Sequence, residues 1–507
     1  LVDVRLDPAQ REVIGLPPER TVLVLGEAGH GKTTVALHRL AHVWRASKGD
    51  LRAAVVVPTE GLARLVQPLL RRLGVDVEAV TYERWARTEA RRAFRDLPRQ
   101  ESELTPAAVQ RVKRDGALRS ALALLARRPP GRVDDDVDAR PSRSRALARR
   151  GDLQHLFGDR TLLEALARES GSITPRAIDE VLDHTRLQFA LTAERDHADV
   201  VDRQRLIAVD GRRLDEGTST ANAGAVDAED YAVLFELDRL RAELLQRAPA
   251  TPRSHDVLVI DEAQELAPLE LALLGRGLAK DGTLVVAGDI DQQTDVTTRF
   301  GGWAAAMTEL GRPDYATVHL DVSYRCPPAV TSLARSVLAG DAPSGPRVDA
   351  PRDHAPEESD ARPSLRQFPS EQQLGERLAR EIASLRRRDP RASVAVICRS
   401  PLTARRIAAI LQAHAPTRLV FDGHFLPRGP AQVTTVDEVK GLEFDFVVVP
   451  DATASDYPDA PAARRALYVA VTRARHQVFL AHVGPRSPLV ASGPLHQADP
   501  AAATRGG

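Results

Sequence analysis

One stretch decides the fold of this chain: Thr21-Val22-Leu23-Val24-Leu25-Gly26-Glu27-Ala28-Gly29-His30-Gly31-Lys32-Thr33. An apolar run leads into the pattern GxxxxGK[ST], and a helix-like run follows from Thr34 to Arg45. Strand, pattern and helix in this order predict a phosphate-binding P-loop. The glycines Gly26, Gly29 and Gly31 let backbone N–H groups close around phosphate oxygens, and the start of the helix adds a favourable dipole.

The side chains that follow the loop predict the ligands. Lys32 can reach the β- and γ-phosphates of a nucleotide, and Thr33 can offer its hydroxyl to Mg²⁺. Thr34 is the next residue of this predicted nucleotide-binding set. The stretch therefore predicts a site for ATP and Mg²⁺.

A second apolar strand ends in acids, in the sequence Asp256-Val257-Leu258-Val259-Ile260-Asp261-Glu262-Ala263-Gln264. Asp261 at the strand end can hold Mg²⁺, and Glu262 can accept a proton from an attacking water. Gln264 can sense the γ-phosphate. A third strand ends in Gly288-Asp289-Ile290-Asp291-Gln292-Gln293, at the edge of a parallel sheet where ligands bind. Gln292 could couple the state of the phosphate to movement.

Bulk composition is that of an ordinary soluble protein. The 507 residues predict two to four domains, and 70 positive charges balance 70 negative ones, so a polyanion could bind only in a local basic groove. Cys326 and Cys398 are the only cysteines, which excludes a disulfide framework and a four-cysteine zinc site. We find no signal peptide and no apolar run of about 18 residues, so we expect a cytoplasmic protein without a membrane partner. The chain begins at Leu1 rather than Met, so we expect either that upstream residues are missing or that an unusual start codon has been read literally.

The order of strand-like and helix-like runs predicts an α/β fold with two tandem RecA-like P-loop domains and a helical insertion in the first. Residues 1–84 and 228–316 form the two parts of the first domain in this prediction. Residues 85–227 form the helical insertion and a flexible loop that starts at about residue 209, residues 317–485 the second domain, and residues 486–507 a flexible tail. Residues 340–363 are predicted to be a surface loop. The predicted strands are 53–57, 77–80, 257–260, 284–287, 317–320, 394–397, 432–435 and 446–449.

Seven segments stand in the order of the motifs of the UvrD-like superfamily 1 helicases, which the chain resembles over about residues 1–84 and 228–485. The segments are Leu6–Gln10, Gly26–Thr33, Asp261–Gln264, Gly288–Gln292, Ser323–Arg325, Lys440–Phe444 and Leu467–Ala474.

The resemblance implies roles for residues outside the P-loop and the two acidic strand ends. Gln10 would read adenine, and Tyr324 would stack on it. Arg325 would lie near the γ-phosphate, Glu443 would contact the ribose, and Arg473 would be the arginine finger. Because these groups come from two domains, closing the cleft would complete the site.

The resemblance also implies activities, of which we consider three. The first is a motor that translocates on or unwinds DNA, single-stranded or as a tailed duplex, in the 3′-to-5′ direction. The second is a HelD-like ATPase that remodels or recycles RNA polymerase without unwinding. The third is the motor subunit of a defence or repair complex with a separate nuclease. The oligomeric state stays open.

Two departures from the UvrD-like pattern favour the HelD-like branch. The aromatic segment that stacks single-stranded bases lacks its usual spacing after Gln293, and we expect Trp303 to be a core residue rather than a base platform. About 108 residues separate Arg325 from Thr434, so we expect the domain usually inserted there to be absent. The sequence Val35-Ala36-Leu37-His38-Arg39, which follows the P-loop, also resembles that branch. HelD-like proteins carry a long N-terminal helical arm that this sequence does not include.

The predicted insertion is rich in arginine and has two readings. Its arginines could bind phosphates, or, as we favour, they could form a solvated surface together with its many acids. The arginines in question are Arg84, Arg87, Arg91, Arg92, Arg95, Arg111, Arg114 and Arg119.

Overall fold

The computed structural model describes residues 6–94, 97–98, 100–102, 105–128, 141–189, 224–322, 326–339, 362–490 and 496–497. Its strands are β1 Val22–Gly26, β2 Ala53–Val57, β3 Ala79–Thr81, β4 His255–Ile260, β5 Leu278–Gly288, β6 Ala316–Leu320, β7 Ser364–Phe368, β8 Val394–Cys398, β9 Thr417–Leu419, β10 Ala431–Thr435, β11 Phe444–Val449, β12 Ala474–Val483 and β13 His496–Gln497.

The α-helices of the described residues alternate with these strands, apart from a group between β3 and β4. They are Pro8–Ile14, Lys32–Ala46, Glu60–Arg72, Tyr82–Ala93, Ala107–Lys113, Leu118–Ala126, Pro141–Gly158, Arg160–Ser170, Pro175–Gln188, Asp230–Leu244, Pro268–Arg276, Trp303–Glu309, Pro328–Ala339, Glu371–Arg388, Pro401–Gln412 and Pro461–Val471. None of the helices in the described part of the chain has the length and apolarity that a bilayer crossing requires.

The first sheet has six parallel strands in the order β3-β2-β4-β5-β1-β6. The central strands are buried on both faces, as parallel sheets require, and their apolar runs made them visible in the sequence. The strand β1 lies between β5 and β6, so the loop that follows it opens at the carboxyl edge of the sheet. The α/β fold with two parallel sheets is confirmed.

The helical insertion forms one layer of the first domain. Helices Pro8–Ile14, Lys32–Ala46 and Glu60–Arg72 pack on one face of the sheet. The other face, including Val56, Ile260 and Val286, shares a continuous apolar core with the helices between β3 and β4. The insertion thus supplies the second cover that a buried parallel sheet needs.

The boundary predicted at residue 317 is wrong by one strand. Residues Ala316–Leu320 form β6, which pairs with β1 along its full length and completes the first sheet. The apolar run looked like the start of a new unit because nothing local marks its partner. The second domain therefore begins after β6.

The second sheet has seven parallel strands in the order β13-β7-β12-β11-β8-β10-β9. Helices Glu371–Arg388 and Pro401–Gln412 cover one face, and helices Pro328–Ala339 and Pro461–Val471 cover the other. The strands β7, β9, β12 and β13 were not predicted. The first residues of β12 are Ala474, Arg475, His476 and Gln477, so the strand does not begin with the apolar run that the sequence reading requires.

Two segments predicted to be flexible have packed parts. Within the predicted loop, Val226 pairs with Glu101 in a bridge, and Asp227 is fully buried. Within the predicted tail, Ser487 and Val490 are fully buried in a short 3₁₀ turn region. Residues 209–223 of the loop, 340–361 of the predicted surface loop, and 491–495 and 498–507 of the tail lie outside the described residues.

A buried charge cluster ties the insertion to the chain segment that returns to the sheet. The Nζ atom of Lys113 lies 2.6 Å from Oδ2 of Asp227 and 2.6 Å from Oδ1 of Asp230, and the Nε2 atom of His184 lies 2.7 Å from Oδ2 of Asp227. These four side chains are fully buried. Burial opposes the charge on Lys113, but the two carboxylates outweigh it and raise the pKa of the lysine.

Replacing Lys113 by methionine should destabilise the first domain by about 3–5 kcal/mol, because two buried carboxylates lose their cation. All three tryptophans, Trp44, Trp85 and Trp303, lie in this domain, so tryptophan fluorescence during urea unfolding reports on it alone. The exposed Lys280→Met is the control and should change the free energy of unfolding by less than about 0.5 kcal/mol. Equal unfolding midpoints for Lys113→Met and the unmodified chain would contradict this reading.

Candidate active site between the two domains

The P-loop has the geometry of a phosphate cradle. Gly29 and Gly31 adopt positive φ angles of 87° and 84°, which a side chain would strain. A Cβ on Gly31 would also lie 2.9 Å from the side-chain nitrogen of Gln10. The Nζ of Lys32 donates to the carbonyl oxygens of Gly26 at 2.8 Å and Glu27 at 3.1 Å. The lysine thus lies across the loop that phosphates would enter.

Two oxygen donors meet where the P-loop helix approaches β4. The hydroxyl of Thr33 donates to Oδ2 of Asp261 at 2.6 Å. Burial, with a contribution from Glu262, raises the pKa of Asp261 to about 6. A hydroxyl and a carboxylate side by side are the hard oxygen ligands that Mg²⁺ prefers, so these residues fit the ion.

Glu262 is held in a strained and buried position. Its backbone has φ 52° and ψ 44°, in the left-handed region that few non-glycine residues occupy. Its Oε2 accepts a hydrogen bond from the side-chain amide of Gln264 at 2.6 Å, and Oε1 of Gln264 accepts the backbone N–H of Asp289 at 3.1 Å. Gln264 therefore braces Glu262 against the end of β5. Strain of this kind is common at functional sites.

A chain of polar contacts crosses the cleft from the P-loop to the second domain. The Nζ of Lys32 lies 3.9 Å from Oδ2 of Asp289, and the same oxygen accepts a hydrogen bond from Gln292 at 2.8 Å. The side-chain oxygen of Gln292 accepts a hydrogen bond from Nη2 of Arg473 at 2.7 Å. Burial raises the pKa of Asp289 to about 6, although Lys32 opposes this shift. The predicted P-loop lysine and arginine finger are thus joined through two side chains, a set we call the Lys32–Arg473 relay.

Further contacts hold the second domain directly on the P-loop. The hydroxyl of Tyr468 accepts the backbone N–H of Ala28 at 3.4 Å. The guanidinium of Arg335 pairs with the carboxylate of Glu27 through two contacts, of 3.0 Å and 3.1 Å. The two domains are therefore in contact at the P-loop itself.

The remaining predicted site residues are not part of the contacts described above between the P-loop and the second domain. Gln10 is buried, accepts the N–H of Asp7 and approaches the carbonyl of His30 at 3.5 Å. Thr34 is buried in the first turn of its helix. Glu443 is half-buried, with Arg475 at 3.9 Å. Tyr324 and Arg325 lie outside the described residues, so their predicted roles stay predictions.

Sequence reasoning gave no role to four residues that line this interface. Asp289 and Tyr468 stood inside segments that were singled out, and the position of Asp289 after a strand was a usable signal. Glu27 was counted only as a variable position of the P-loop. Arg335 carries no local signal, because its partner lies 308 residues away.

A cleft of about 560 Å³ adjoins Glu262 on the side away from the P-loop. Two cations line it, and both are paired: Lys440 lies 3.1 Å from Glu265, and Arg114 binds Glu270 and Asp295. Nine carboxylate residues line it, namely Glu60, Glu83, Asp261, Glu262, Glu265, Asp295, Asp422, Asp437 and Glu438. The cleft is therefore strongly negative and does not suit a phosphate backbone.

The arginines of the insertion are largely paired with acids. Arg119 binds Glu309, and Arg87 binds Glu101. Arg114, whose side chain is 11% exposed, lies between the insertion and the loop after β5, where it also donates to the carbonyl of Glu265. Arg114 and Arg119 thus fasten the insertion to the first domain, which neither reading of the sequence foresaw.

Trp303 packs beside the end of β5. Its ring lies edge-on to Phe300 with centroids 4.8 Å apart. A Cβ on Gly288 would come within 2.2 Å of the ring, so Gly288 leaves it room. The tryptophan is partly buried and packs against the core of the first domain.

The chain matches two protein-family models. One, described as an AAA domain, matches residues 10–298, which is more than half of the chain. The other, described as the UvrD-like helicase C-terminal domain, matches residues 430–481. The two matches cover the P-loop domain and the strands and helix that carry Arg473.

Similar curated proteins are the ATP-dependent DNA helicases UvrD2 of Mycobacterium tuberculosis and Mycobacterium bovis. Each is 27% identical to this chain over 355 residues, which cover 66% of this chain and 43% of the relative. A solved structure, the C-terminal domain of a possible DNA helicase from Lactobacillus plantarum, is 24% identical and covers 33% of this chain and 92% of its own, with a TM-score of 0.27.

The chain matches less than half the length of these curated relatives. The two family matches agree with the structure, which has two parallel sheets and a P-loop at the interface between them. The chain belongs to the AAA-domain family of P-loop proteins, and its residues 430–481 match the C-terminal domain of the UvrD-like helicases.

Proposed function

We propose that this chain is an ATP-driven motor of the DNA helicase and translocase type, which couples ATP hydrolysis to closure of its two domains. The Lys32–Arg473 relay carries the proposal, because it joins the phosphate loop of one domain to a buried arginine of the other. A change at the phosphates therefore alters a contact that holds the domains together. The name of the UvrD2 relatives supports DNA as the substrate.

The residues between the P-loop and the second domain each have a role in this proposal. Lys32 leaves the carbonyls of Gly26 and Glu27 and binds the β- and γ-phosphates of ATP. Glu262, fixed by Gln264, accepts the proton of the attacking water. Arg473 stabilises the charge that develops on the transferred phosphoryl group, and Gln292 reports that state to Asp289 and Lys32.

Thr33 and Asp261 would hold Mg²⁺, which neutralises charge on the phosphate oxygens when it is bound. We retain Gln10 and Tyr324 as adenine contacts, Glu443 as the ribose contact and Arg325 as a second γ-phosphate cation. These assignments rest on the family resemblance. A 3′-to-5′ direction rests on the same ground.

A second candidate is a HelD-like ATPase that remodels RNA polymerase. The observation in its favour is the cleft beside Glu262, whose nine carboxylate residues disfavour a nucleic-acid backbone and leave a protein partner as the stimulant.

Comparing three stimulants separates the two candidates. ATP turnover is measured with single-stranded DNA, single-stranded RNA and RNA polymerase, each over a range of salt concentrations. A motor on DNA should be stimulated by single-stranded DNA, with an affinity that falls steeply as salt rises. Stimulation by RNA polymerase alone would replace the first candidate by the second. No turnover under any of these conditions would reject both.

Replacing Trp303 by alanine should lower the stability of the first domain by about 2 kcal/mol, roughly half the cost for a fully buried ring. Binding of a fluorescent single strand should change little, because we place the ring against Gly288 and Phe300. Urea unfolding, followed by the fluorescence of Trp44 and Trp85, measures the first effect, and anisotropy titration measures the second. A normally stable variant with an affinity loss of about 1–3 kcal/mol would instead identify a base-stacking residue.

A further inference from the structure

The second domain contacts the P-loop through a charged pair formed by Glu27 of the loop and Arg335, a residue outside the seven motif segments. The Nε atom of Arg335 lies 3.1 Å from Oε2 of Glu27, and its Nη2 atom lies 3.0 Å from Oε1. Two parallel contacts between a guanidinium and a carboxylate fix orientation as well as distance. The pair is partly shielded, since the side chains of Arg335 and Glu27 are 28% and 39% exposed.

Glu27 joins this ion pair to the site of phosphate binding. Its side chain binds Arg335, while its backbone carbonyl accepts hydrogen bonds from Nζ of Lys32 and from the N–H of His30. The next residue, Ala28, donates its N–H to Tyr468 of the second domain. Two successive residues of the P-loop are thus held by the second domain, one by a side chain and one by the backbone.

Arg335 is in turn connected to the arginine finger. Its helix, Pro328–Ala339, packs along helix Pro461–Val471, and Arg464 donates to the carbonyl of Val337 between them at 2.9 Å. The second helix carries Tyr468 and leads directly to Arg473. A force that fixes Arg335 against the P-loop therefore also fixes the position of Arg473.

A second acid of the first domain lies near an arginine of the second domain at the same interface. Burial and the charge of Glu27 raise the pKa of Asp291 in the first domain. The charge of Arg465 in the second domain lowers that pKa. Acidic side chains on the first domain face arginines on the second, which favours the closed arrangement.

We propose that Glu27 and Arg335 are positioning residues for ATP hydrolysis: their ion pair docks the second domain on the P-loop and holds Arg473 at the phosphate end of the cleft. The inference rests on the proposed ATPase function. Neither residue is assigned to contact the reacting atoms. Their effect passes through the placement of Arg473, so it concerns turnover rather than nucleotide affinity.

Steady-state ATP turnover of the full chain tests this with Glu27→Gln, Arg335→Gln and the double variant. Each single variant should lower kcat about tenfold, while the Kd for ADP with Mg²⁺ stays within about threefold of the unmodified value. The double variant should also lose about tenfold rather than a hundredfold, because both substitutions remove one interaction. Arg335→Lys keeps the charge but not the two-point geometry and should recover part of the rate.

A matched control is available on the far face of the second domain. Arg406 makes a similar two-point ion pair with Glu371, at 2.9 Å and 3.2 Å. Arg406→Gln should leave kcat within about twofold, since that pair does not touch the cleft. Unchanged kcat in Arg335→Gln, additive losses in the double variant, or a parallel loss of ADP affinity would each overturn the proposal.

Domain closure gives a readout that does not depend on hydrolysis. Spin labels on cysteines introduced at the exposed positions Glu12 and Arg380 report the distance between the two domains without nucleotide. Arg335→Gln should lengthen and broaden that distance, and Arg406→Gln should not. If the unmodified chain hydrolyses no ATP, the proposed function fails. The distance between the two spin labels then tests by itself whether the ion pair docks the second domain on the P-loop. An unchanged distance in Arg335→Gln overturns the positioning role.

Discussion

Replacing Arg473 by alanine is expected to lower kcat for ATP by about 10³- to 10⁵-fold, the range known for arginine fingers. The affinity for ATP should change far less, because such a residue acts mainly in the transition state. The guanidinium is almost fully buried and is linked to the P-loop lysine through Gln292 and Asp289. An alanine there has no group that could stabilise charge on the transferred phosphoryl.

Single-turnover hydrolysis and equilibrium nucleotide binding, measured on the same preparations, separate the two effects. If the alanine variant unfolds, Arg473→Lys, which keeps most of the packing, replaces it in the same measurements. Arg387→Ala, at an exposed arginine of helix Glu371–Arg388 on the outer face of the second domain, is the control and should retain nearly full turnover. A loss confined to ATP binding would make Arg473 a ground-state ligand and would remove it from the finger role.

Replacing Glu262 by glutamine is expected to preserve nucleotide binding and to lower hydrolysis by about 10²–10⁴-fold, the usual contribution of a general base. The substitution is isosteric, so its amide oxygen can still accept the hydrogen bond from Gln264. Thr33 and Asp261 stay in contact and can still hold Mg²⁺. Only the capacity to take a proton is removed.

Binding of a fluorescent ATP analogue and release of inorganic phosphate measure the two properties of this variant. Glu309→Gln, which alters a partner of Arg119 far from the cleft, provides the comparison. Hydrolysis at the unmodified rate in Glu262→Gln would refute the general-base assignment. Loss of binding would indicate that the strained backbone at Glu262, and not its charge, had been disturbed.

The sequence predicted the parts of the site that local chemistry determines. The P-loop glycines, Lys32, Thr33 and the acids after β4 all follow apolar strands that are visible as runs of residues. Their spatial neighbours were predictable because parallel strands end at one edge of a sheet. The same reasoning could have included Asp289, which directly follows β5.

Contacts that depend on how the domains meet were not predictable from the sequence. Tyr468 and Arg335 act across the cleft, and no pattern near either residue indicates its partner. The sequence predicted a helical insertion but not the sheet face that it covers, because helical periodicity reveals an apolar face and not its partner. β6 was placed in the wrong domain for the same reason, since pairing with β1 depends on residues about 300 positions away.

The topology of the first sheet has a consequence for synthesis of the chain. Val22 in the central strand pairs with Val285 on one side and Ala316 on the other. At elongation rates of about 5–20 residues per second, the ribosome needs about 15–60 s to produce both neighbours. During that time an apolar strand and one side of the nascent insertion remain without their partners. The first domain therefore cannot complete its fold until β6 has left the ribosome, and until then the growing polypeptide is a natural client for chaperones that bind exposed strands.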